Sequence, residues 1–278
     1  MPELPEVETM ARGIRSIIGR EILKVVLPKC ACRPIVIQPS VAAIRRRLVG
    51  RTVTEVSRLG KRVVVHVDEQ RLFFQPKMSG LVALQDVPSE QHLRFELRFP
   101  GRSGKEQSLF YWDRRGLGTI ALLHQSEVEA QLVAGKLGPD ALAIDPDDFY
   151  QRFHVTRRPI KVALLDQKLV AGVGNLYASE MLFAARINPK TRSCDISKKR
   201  MRRLFDVMLD ILTTAIEYEG STLSDGTYRT AVNDPGSYQN EHQVYDCAGQ
   251  ICSACGVTEI RRIVQSQRST FFCPRCQK

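Results

Sequence analysis

The alternation of hydrophobic and polar residues changes twice along this chain of 278 residues. Residues 6–18 place apolar side chains three and four positions apart, the period of an amphipathic helix, and Gly19 ends the pattern. Short apolar, β-branched runs separated by polar turns then continue to about residue 123. They predict strands and a β-sandwich or barrel. The predicted strands are 22–27, 53–56, 63–67, 72–74, 93–99, 109–112 and 119–123.

The second change comes at residues 126–148, a polar segment with Gly and Pro that follows neither period. Helical spacing then returns over 160–168, 176–186 and 197–219. The last of these is an amphipathic helix with its basic residues crowded into the first turns. A polar loop over 221–240 follows, and the chain closes with a cysteine-rich tail. The pattern predicts an α+β protein whose helices follow its strands.

Composition and charge restrict the class of protein. The chain is 43% hydrophobic and carries a formal net charge of +11. No apolar run approaches the roughly 18 to 20 residues that span a bilayer, and the N-terminus is acidic where a secretory signal would be basic and then apolar. We therefore expect a cytoplasmic protein with no membrane segment. The excess of basic residues favours a polyanionic partner such as a nucleic acid.

Four of the eight cysteines follow a pattern typical of metal binding. Cys252 and Cys255 form one short knuckle, and Cys273 and Cys276 form a second. Two such loops can surround one tetrahedral zinc ion with four thiolates, which leaves no open position and indicates a structural role. Redox-active dithiols are the alternative. The remaining cysteines are interpreted as one possible competitor for the metal, Cys247, and three isolated thiols, Cys30, Cys32 and Cys194.

Two further motifs are ambiguous when taken alone. The turn Gly172-Val173-Gly174-Asn175 joins two predicted helices, and the free N–H groups of the second helix could bind a phosphate. Many ordinary helix hairpins contain a similar turn. Pro and Glu at the second and third positions are common ways to begin a helix. Each motif therefore needs support from the others.

The opening Met1–Thr9, the turn 172–175 and the ending Gln267–Gln277 together resemble formamidopyrimidine-DNA glycosylase, and the resemblance extends over nearly the whole chain. Related endonuclease VIII enzymes usually begin Pro-Glu-Gly-Pro, so Leu4 favours the purine-repair branch. The fold implied is an N-terminal β-sandwich carrying the first helix, then a helix-two-turn-helix domain and a zinc-finger β-hairpin. The expected domains are a catalytic domain 1–130, a linker 131–148, a DNA-binding domain 149–246 with a lesion-capping loop 221–240, and a zinc finger 247–278.

The resemblance implies base-excision repair of double-stranded DNA containing damaged bases, by a bifunctional glycosylase and AP lyase. Removal of Met1 would expose the secondary amine of Pro2, whose pKa of about 8 leaves a useful fraction unprotonated at neutral pH. Such an amine can attack a sugar C1′, expel 8-oxoguanine or a formamidopyrimidine and form a Schiff base that permits β,δ-elimination. Glu3 would transfer protons and Glu6 would assist. A bacterial, nucleoid-associated monomer with one structural zinc ion is implied.

Other residues are assigned DNA contacts by the same resemblance. The expected phosphate contacts near the lesion are Lys61, Asn175 and Arg268, of which Lys61 and Arg268 are counted with the catalytic residues. Met78 matches the residue that fills the space left by an everted nucleotide. Arg115 and Leu117 match the pair that faces the orphan cytosine and wedges the base stack. Such residues are needed because flipping a base costs a few kcal/mol, which a wedge and a polar partner offset.

The chain departs from the family pattern around the expected lesion. Gln75, an expected DNA contact, stands where the family has a phosphate-contacting histidine; Leu117 replaces a phenylalanine wedge, and Arg114 replaces proline. Two alternatives therefore stay open: an oxidised-pyrimidine or broad-specificity enzyme like endonuclease VIII, and a non-catalytic zinc-ribbon DNA-binding protein. The loop 221–240 has the full length expected of the lesion-capping loop, which favours a purine substrate. The intact N-terminal Pro-Glu pair favours an enzyme over a non-catalytic binding protein.

Overall fold

The computed structural model describes residues 2–84, 86–101, 105–223, 226 and 228–278. Internal contacts divide the chain into two compact units. The first comprises Met1–Leu132 and Ile216–Gln239, and the second comprises Val133–Ala215 and Asn240–Lys278. Within the described ranges, no helix is both long enough and apolar enough to cross a membrane. After contributing residues 133–215 to the second unit, the chain thus returns to the first unit over residues 216–239 and then completes the second.

The first unit contains two β-sheets. Its strands are β1 (Lys24–Val26), β2 (Val36–Gln38), β3 (Val53–Leu59), β4 (Arg62–Val67), β5 (Gln70–Gln75), β6 (Gly80–Ala83), β7 (Leu93–Phe99), β8 (Gln107–Asp113) and β9 (Thr119–His124). One sheet has the order β1-β7-β8-β6 and the other the order β2-β9-β5-β4-β3. Neighbouring strands are antiparallel, except that β2 and β9 are parallel. This is the predicted sandwich.

Helices occupy both units. They are α1 (Leu4–Gly13), α2 (Val41–Leu48), α3 (Gln125–Val128), α4 (Pro146–His154), α5 (Ile160–Leu164), α6 (Asn175–Ala184) and α7 (Lys198–Glu217). A short hairpin, β10 (Arg261–Gln265) and β11 (Arg268–Phe272), lies between the two cysteine knuckles. The predicted α+β class, with an N-terminal helix, a helical C-terminal part and a zinc-finger hairpin, is confirmed.

The core of the first unit joins α1 to both sheets. Val7 and Met10 of the helix are fully buried in the same cluster as Val65, Phe74 and Phe95. Phe74 on β5 and Phe95 on β7 meet edge to face with ring centroids 6.0 Å apart, so the two sheets share one core. Helix α1 is therefore fixed by apolar packing, and its first residues are held in place with it.

Some elements were not predicted from the sequence. The strands β2 and β6 and the helix α2 are short, so each offers few positions in which to show a period. Helix α4 begins inside the segment predicted to be irregular. Its start carries a local signal, because the Asp145 carboxylate accepts the Asp147 and Asp148 N–H groups at 3.0 and 2.9 Å. The predicted helix 160–168 was too long, since α5 ends at Leu164.

Candidate functional site

A buried pair of carboxylates begins the N-terminal helix. Glu3, at the N-cap, and Glu6, in the first turn, are each 3% exposed. The Glu3 backbone N–H donates to Glu6 Oε2 at 2.8 Å. The partial positive charge of a helix N-terminus favours carboxylates at these positions. Pro2 is buried immediately before them, so this helix end gathers a potential amine and two acids.

Glu6 also contacts residues 216–239, the later segment of the chain that belongs to the first unit. The Ser221 backbone N–H donates to Glu6 Oε1 at 2.9 Å, across 215 positions of sequence. Gly220 has φ +79°, and a Cβ there would come within 2.9 Å of the same oxygen. Only glycine suits this combination of backbone angle and close approach. Both oxygens of Glu6 therefore accept backbone N–H groups, one from the N-cap residue Glu3 and one from Ser221 of the distant loop.

The predicted lesion-capping loop, 221–240, belongs in part to this unit; its residues 224, 225 and 227 lie outside the described residues. The Thr222 hydroxyl donates to the Tyr228 carbonyl at 2.9 Å and accepts the Gly236 N–H at 2.9 Å. A Cβ on Gly236 would lie 2.3 Å from the Gly220 carbonyl oxygen. The described ends of the loop are therefore joined closely at a neck formed by residues 220, 222 and 236.

Tyr228 holds this loop against the rest of the first unit. Its side chain is buried, and its hydroxyl donates to the Glu219 carbonyl at 2.8 Å. Burial and the nearby Glu6 carboxylate raise the pKa of Tyr228 well above its ordinary value. The phenol therefore stays protonated at physiological pH and remains a hydrogen-bond donor.

An ion pair connects helix α1 to the turn that carries Lys61. Arg58 on β3 donates to Glu8 Oε2 at 3.0 Å and to the Gly60 carbonyl at 2.9 Å. Burial raises the pKa of Glu8, but hydrogen bonds from Arg12 and Arg58 outweigh this effect, and its pKa lies below the ordinary value. Glu8 is therefore ionised at neutral pH. The half-buried Lys61 follows directly on the turn held by Arg58.

The residues predicted to probe the base stack lie on loops of the same unit. Met78, before β6, is 37% exposed, and Arg115, after β8, is also exposed. Leu117 is half-buried. The Gln75 side chain accepts a hydrogen bond from the Thr119 hydroxyl at 3.3 Å, so it has a partner within the protein. Exposed apolar and cationic tips on ordered loops are suitable for contact with a nucleic acid.

The second unit has its own polar cluster, centred on a lysine that the sequence analysis did not single out. Lys161 on α5 is 1% exposed, and its Nζ donates to Asn175 Oδ1 at 2.7 Å, the Ser269 carbonyl at 2.9 Å and Thr270 Oγ1 at 2.9 Å. Asn175 Nδ2 donates to the same Ser269 carbonyl at 3.0 Å. The start of α6 is thus joined to the hairpin, where the exposed Arg268 begins β11.

Replacing Lys161 with methionine is expected to destabilise the second unit by about 2 kcal/mol, because the three oxygens that it binds would lose a buried cationic donor. Urea unfolding of the two units measures this effect. Lys199→Met, on the exposed face of α7, is the matched control and should unfold like the wild type. Equal unfolding midpoints for the two variants would contradict this interpretation.

The four predicted metal ligands converge in the same unit. The sulfur atoms of Cys252, Cys255, Cys273 and Cys276 lie within 4.8 Å of one another, with 3.9 Å between Cys252 and Cys276 and between Cys255 and Cys273. Four thiolates about 2.3 Å from a central zinc ion would be separated by a similar distance. These side chains therefore fit one structural zinc ion. Cys247 is not a member of this cluster in the described part of the chain.

The sequence matches three known domain types along its length. Residues 1–120 match the formamidopyrimidine-DNA glycosylase N-terminal domain, and residues 137–227 match the formamidopyrimidine-DNA glycosylase H2TH domain. Residues 249–278 match a zinc finger found in FPG and IleRS. A formamidopyrimidine-DNA glycosylase from Janthinobacterium sp. (strain Marseille) is 39% identical over 286 residues, covering 100% of both chains.

Solved structures of related proteins agree with these matches. The chain is similar to a Lactococcus lactis FPG mutant in complex with a Fapy-dG containing DNA, with a TM-score of 0.87, 33% identity and 100% of both chains covered. It is also similar to the wild-type Lactococcus lactis protein in complex with an oxidised pyrimidine containing DNA, with a TM-score of 0.86, 32% identity and the same coverage. Both likenesses extend over the two compact units.

Proposed function

The chain belongs to the formamidopyrimidine-DNA glycosylase family, and on that premise we propose that it excises oxidised purines from double-stranded DNA and then cuts the strand as an AP lyase. Pro2, Glu3 and Glu6 form its catalytic centre. The observation that carries this proposal is the buried helix start, where these residues lie together and Glu6 reaches the loop at Ser221.

The reaction begins with the amine that removal of Met1 would free. The Pro2 nitrogen attacks C1′ of the damaged nucleotide, the bond from C1′ to the base breaks, and the base leaves with a proton. The amine then loses its own proton and the C1′–O4′ bond breaks with a proton added to O4′, which opens the sugar ring and leaves an iminium between Pro2 and C1′. The resulting iminium acidifies the C2′ protons, so loss of one expels the 3′ phosphate, and a further elimination expels the 5′ phosphate. An amine with a pKa of about 8 can act in this way without a metal or an activated hydroxyl.

The two buried acids, Glu3 and Glu6, have different roles in this proposal. Glu3, adjacent to Pro2, moves protons to and from the sugar and the departing base, as a general acid and base. Glu6 assists by holding Ser221 and the Glu3 backbone in register. One carboxylate therefore contacts both the backbone beside Pro2 and the first residue of the loop 221–240.

DNA contacts are distributed over both units. In the first unit Lys61 binds a phosphate near the lesion; in the second unit Arg268 and Asn175 also bind phosphates, with Asn175 at the start of α6, where N–H groups are available. The base stack is probed by Met78, Arg115 and Leu117, and Gln75 is included among the DNA contacts. The zinc ion, held by the four cysteines, is structural: it stabilises the hairpin that carries Arg268. We place the protein in the bacterial cytoplasm at the nucleoid, acting as a monomer.

Borohydride trapping tests the proposal directly. A duplex with 8-oxoguanine opposite cytosine should become covalently linked to the protein, and mass spectrometry should locate the adduct at Pro2 with Met1 absent. Undamaged duplex of the same sequence is the control and should give no adduct. An adduct on another side chain, or active protein that retains Met1, would disprove the assignment of the nucleophile.

Action on oxidised pyrimidines is a second candidate function. It is supported by the similar Lactococcus lactis protein, whose structure was solved with DNA containing an oxidised pyrimidine, and by Leu117, which replaces the usual wedge. The same trapping assay with an oxidised-pyrimidine duplex distinguishes the two substrate classes. Faster trapping on the pyrimidine duplex than on the 8-oxoguanine duplex would favour this second function.

A further inference from the structure

Two loops that the proposed function assigns to the base stack are connected beneath their exposed tips. Met78 lies on the loop before β6, and Arg115 lies on the turn between β8 and β9. Next to them are Ser79, which is 1% exposed, and Asp113, which is fully buried. Buried polar side chains need internal partners, so their hydrogen bonds define how the two loops are held.

Most of these hydrogen bonds are accepted by one carboxylate, that of Asp113. The Ser79 hydroxyl donates to Asp113 Oδ1 at 2.5 Å, and the Gly118 N–H donates to Asp113 Oδ2 at 2.7 Å. The Arg115 N–H donates to the Ser79 hydroxyl oxygen at 2.9 Å and to Asp113 Oδ1 at 3.2 Å. The turn that carries Arg115 is therefore bound to the side chains of Ser79, which follows Met78, and Asp113.

The backbone around this pair is packed too closely to accept a side chain at two glycines. A Cβ on Gly80 would lie 2.4 Å from the Pro76 Cα, and a Cβ on Gly118 would lie 1.7 Å from the Tyr111 hydroxyl oxygen. That hydroxyl donates to the Gln75 carbonyl at 3.0 Å. A Cβ on Gly118 would also lie 3.0 Å from the Gln75 carbonyl oxygen, so the segments before β6 and after β8 approach each other closely where glycine is required.

A buried guanidinium supports the same connection. Arg94, 4% exposed, donates from Nε to the Asp113 carbonyl at 2.9 Å and from Nη1 to the Arg33 carbonyl at 3.0 Å. Gly116, at the centre of the turn, has φ +62°, and a Cβ there would lie 2.8 Å from the Arg33 carbonyl oxygen. Arg94 therefore fixes Asp113 relative to the segment beneath the turn.

We propose that Ser79 and Asp113 are positioning residues that hold Met78 and Arg115 as one rigid unit, so that filling the void and contacting the orphan base occur together. This inference rests on the proposed function. Neither residue is required to touch DNA, since Ser79 accepts the Arg115 N–H and Asp113 accepts the Arg115 and Gly118 N–H groups. A pair of loops held independently could fill the void without reading the opposite base.

The variant Ser79→Ala tests the inference, because it removes the shared hydroxyl and leaves the Arg115 N–H only its longer bond to Asp113. We expect excision of 8-oxoguanine opposite cytosine in a duplex to fall about tenfold. Trapping at an abasic site in single-stranded DNA should stay within about twofold of the wild type, because that substrate has no orphan base. Fluorescence of 2-aminopurine beside an abasic-site analogue in duplex DNA should show weaker unstacking.

The control is Ser108→Ala on β8, whose hydroxyl donates to Glu96 at 2.7 Å in the same unit. It should leave both substrates unaffected. A Ser79→Ala enzyme that matches this control, or that loses activity equally on duplex and single strand, would overturn the inference. A wild-type protein that traps neither substrate would instead disprove the proposed function and remove the basis of the inference with it.

Discussion

Replacing Pro2 with glycine is expected to lower borohydride trapping on an 8-oxoguanine duplex by about 100-fold. Glycine retains an α-amine of similar pKa, so the chemical group survives and the loss reports its placement. The proline ring is buried at the start of α1, next to Glu3, which fixes the nitrogen. Displacement of a reacting atom by about 1 Å can cost about 100-fold in rate.

Pro5→Ala is the matched control for this experiment. It removes a second proline from the same helix start but leaves the N-terminal amine unchanged, and alanine suits the first turn of a helix. Its trapping rate should stay close to that of the wild type. The assignment of Pro2 would be wrong if the Pro2→Gly enzyme trapped DNA as fast as the Pro5→Ala enzyme.

Replacing Cys273 with serine is expected to release the zinc ion and weaken binding to a duplex with an abasic-site analogue by at least about 100-fold. A structural zinc contributes on the order of 10 kcal/mol to folding. The apolar cluster around the hairpin is small, with Val244, Ile260 and Phe271 among its members, so it offers little to replace that energy. The hairpin that presents Arg268 should therefore lose its conformation.

Metal analysis and fluorescence anisotropy measure these two effects. The wild type should contain one zinc ion per chain, and the variant less than about one tenth of that amount. Cys194→Ser is the control, since Cys194 lies in the same unit and is not one of the four clustered cysteines. Full zinc content in the Cys273→Ser protein would contradict a four-cysteine site.

Features that depend on short sequence spacing could be predicted. The cysteine knuckles and the Pro-Glu start each lie within a few consecutive residues, and the zinc ligands do converge as expected. Strands of the sandwich were predicted wherever alternation covered several positions, as over 93–99. In these cases the physical constraint acts along the chain, so it leaves a pattern that can be read without the fold.

The supporting residues could not be predicted, because their partners are distant in sequence. Lys161 bonds to Ser269 and Thr270 more than 100 positions away, and only its place among apolar neighbours on α5 distinguishes it. Ser79 and Asp113 are separated by 34 positions and come together through the pairing of β6 with β8. A lone serine or aspartate carries no local sign of such a role.

The narrow neck of the loop 221–240 limits which residues can stand at its base. Gly220 faces the Glu6 carboxylate and Gly236 faces the Gly220 carbonyl, so any side chain at either position would collide with these oxygens. A segment transplanted from another glycosylase must therefore enter and leave between these two glycines. A natural or designed change at Gly220 or Gly236 is therefore expected to require a compensating change in Glu6 or in the backbone that these glycines face.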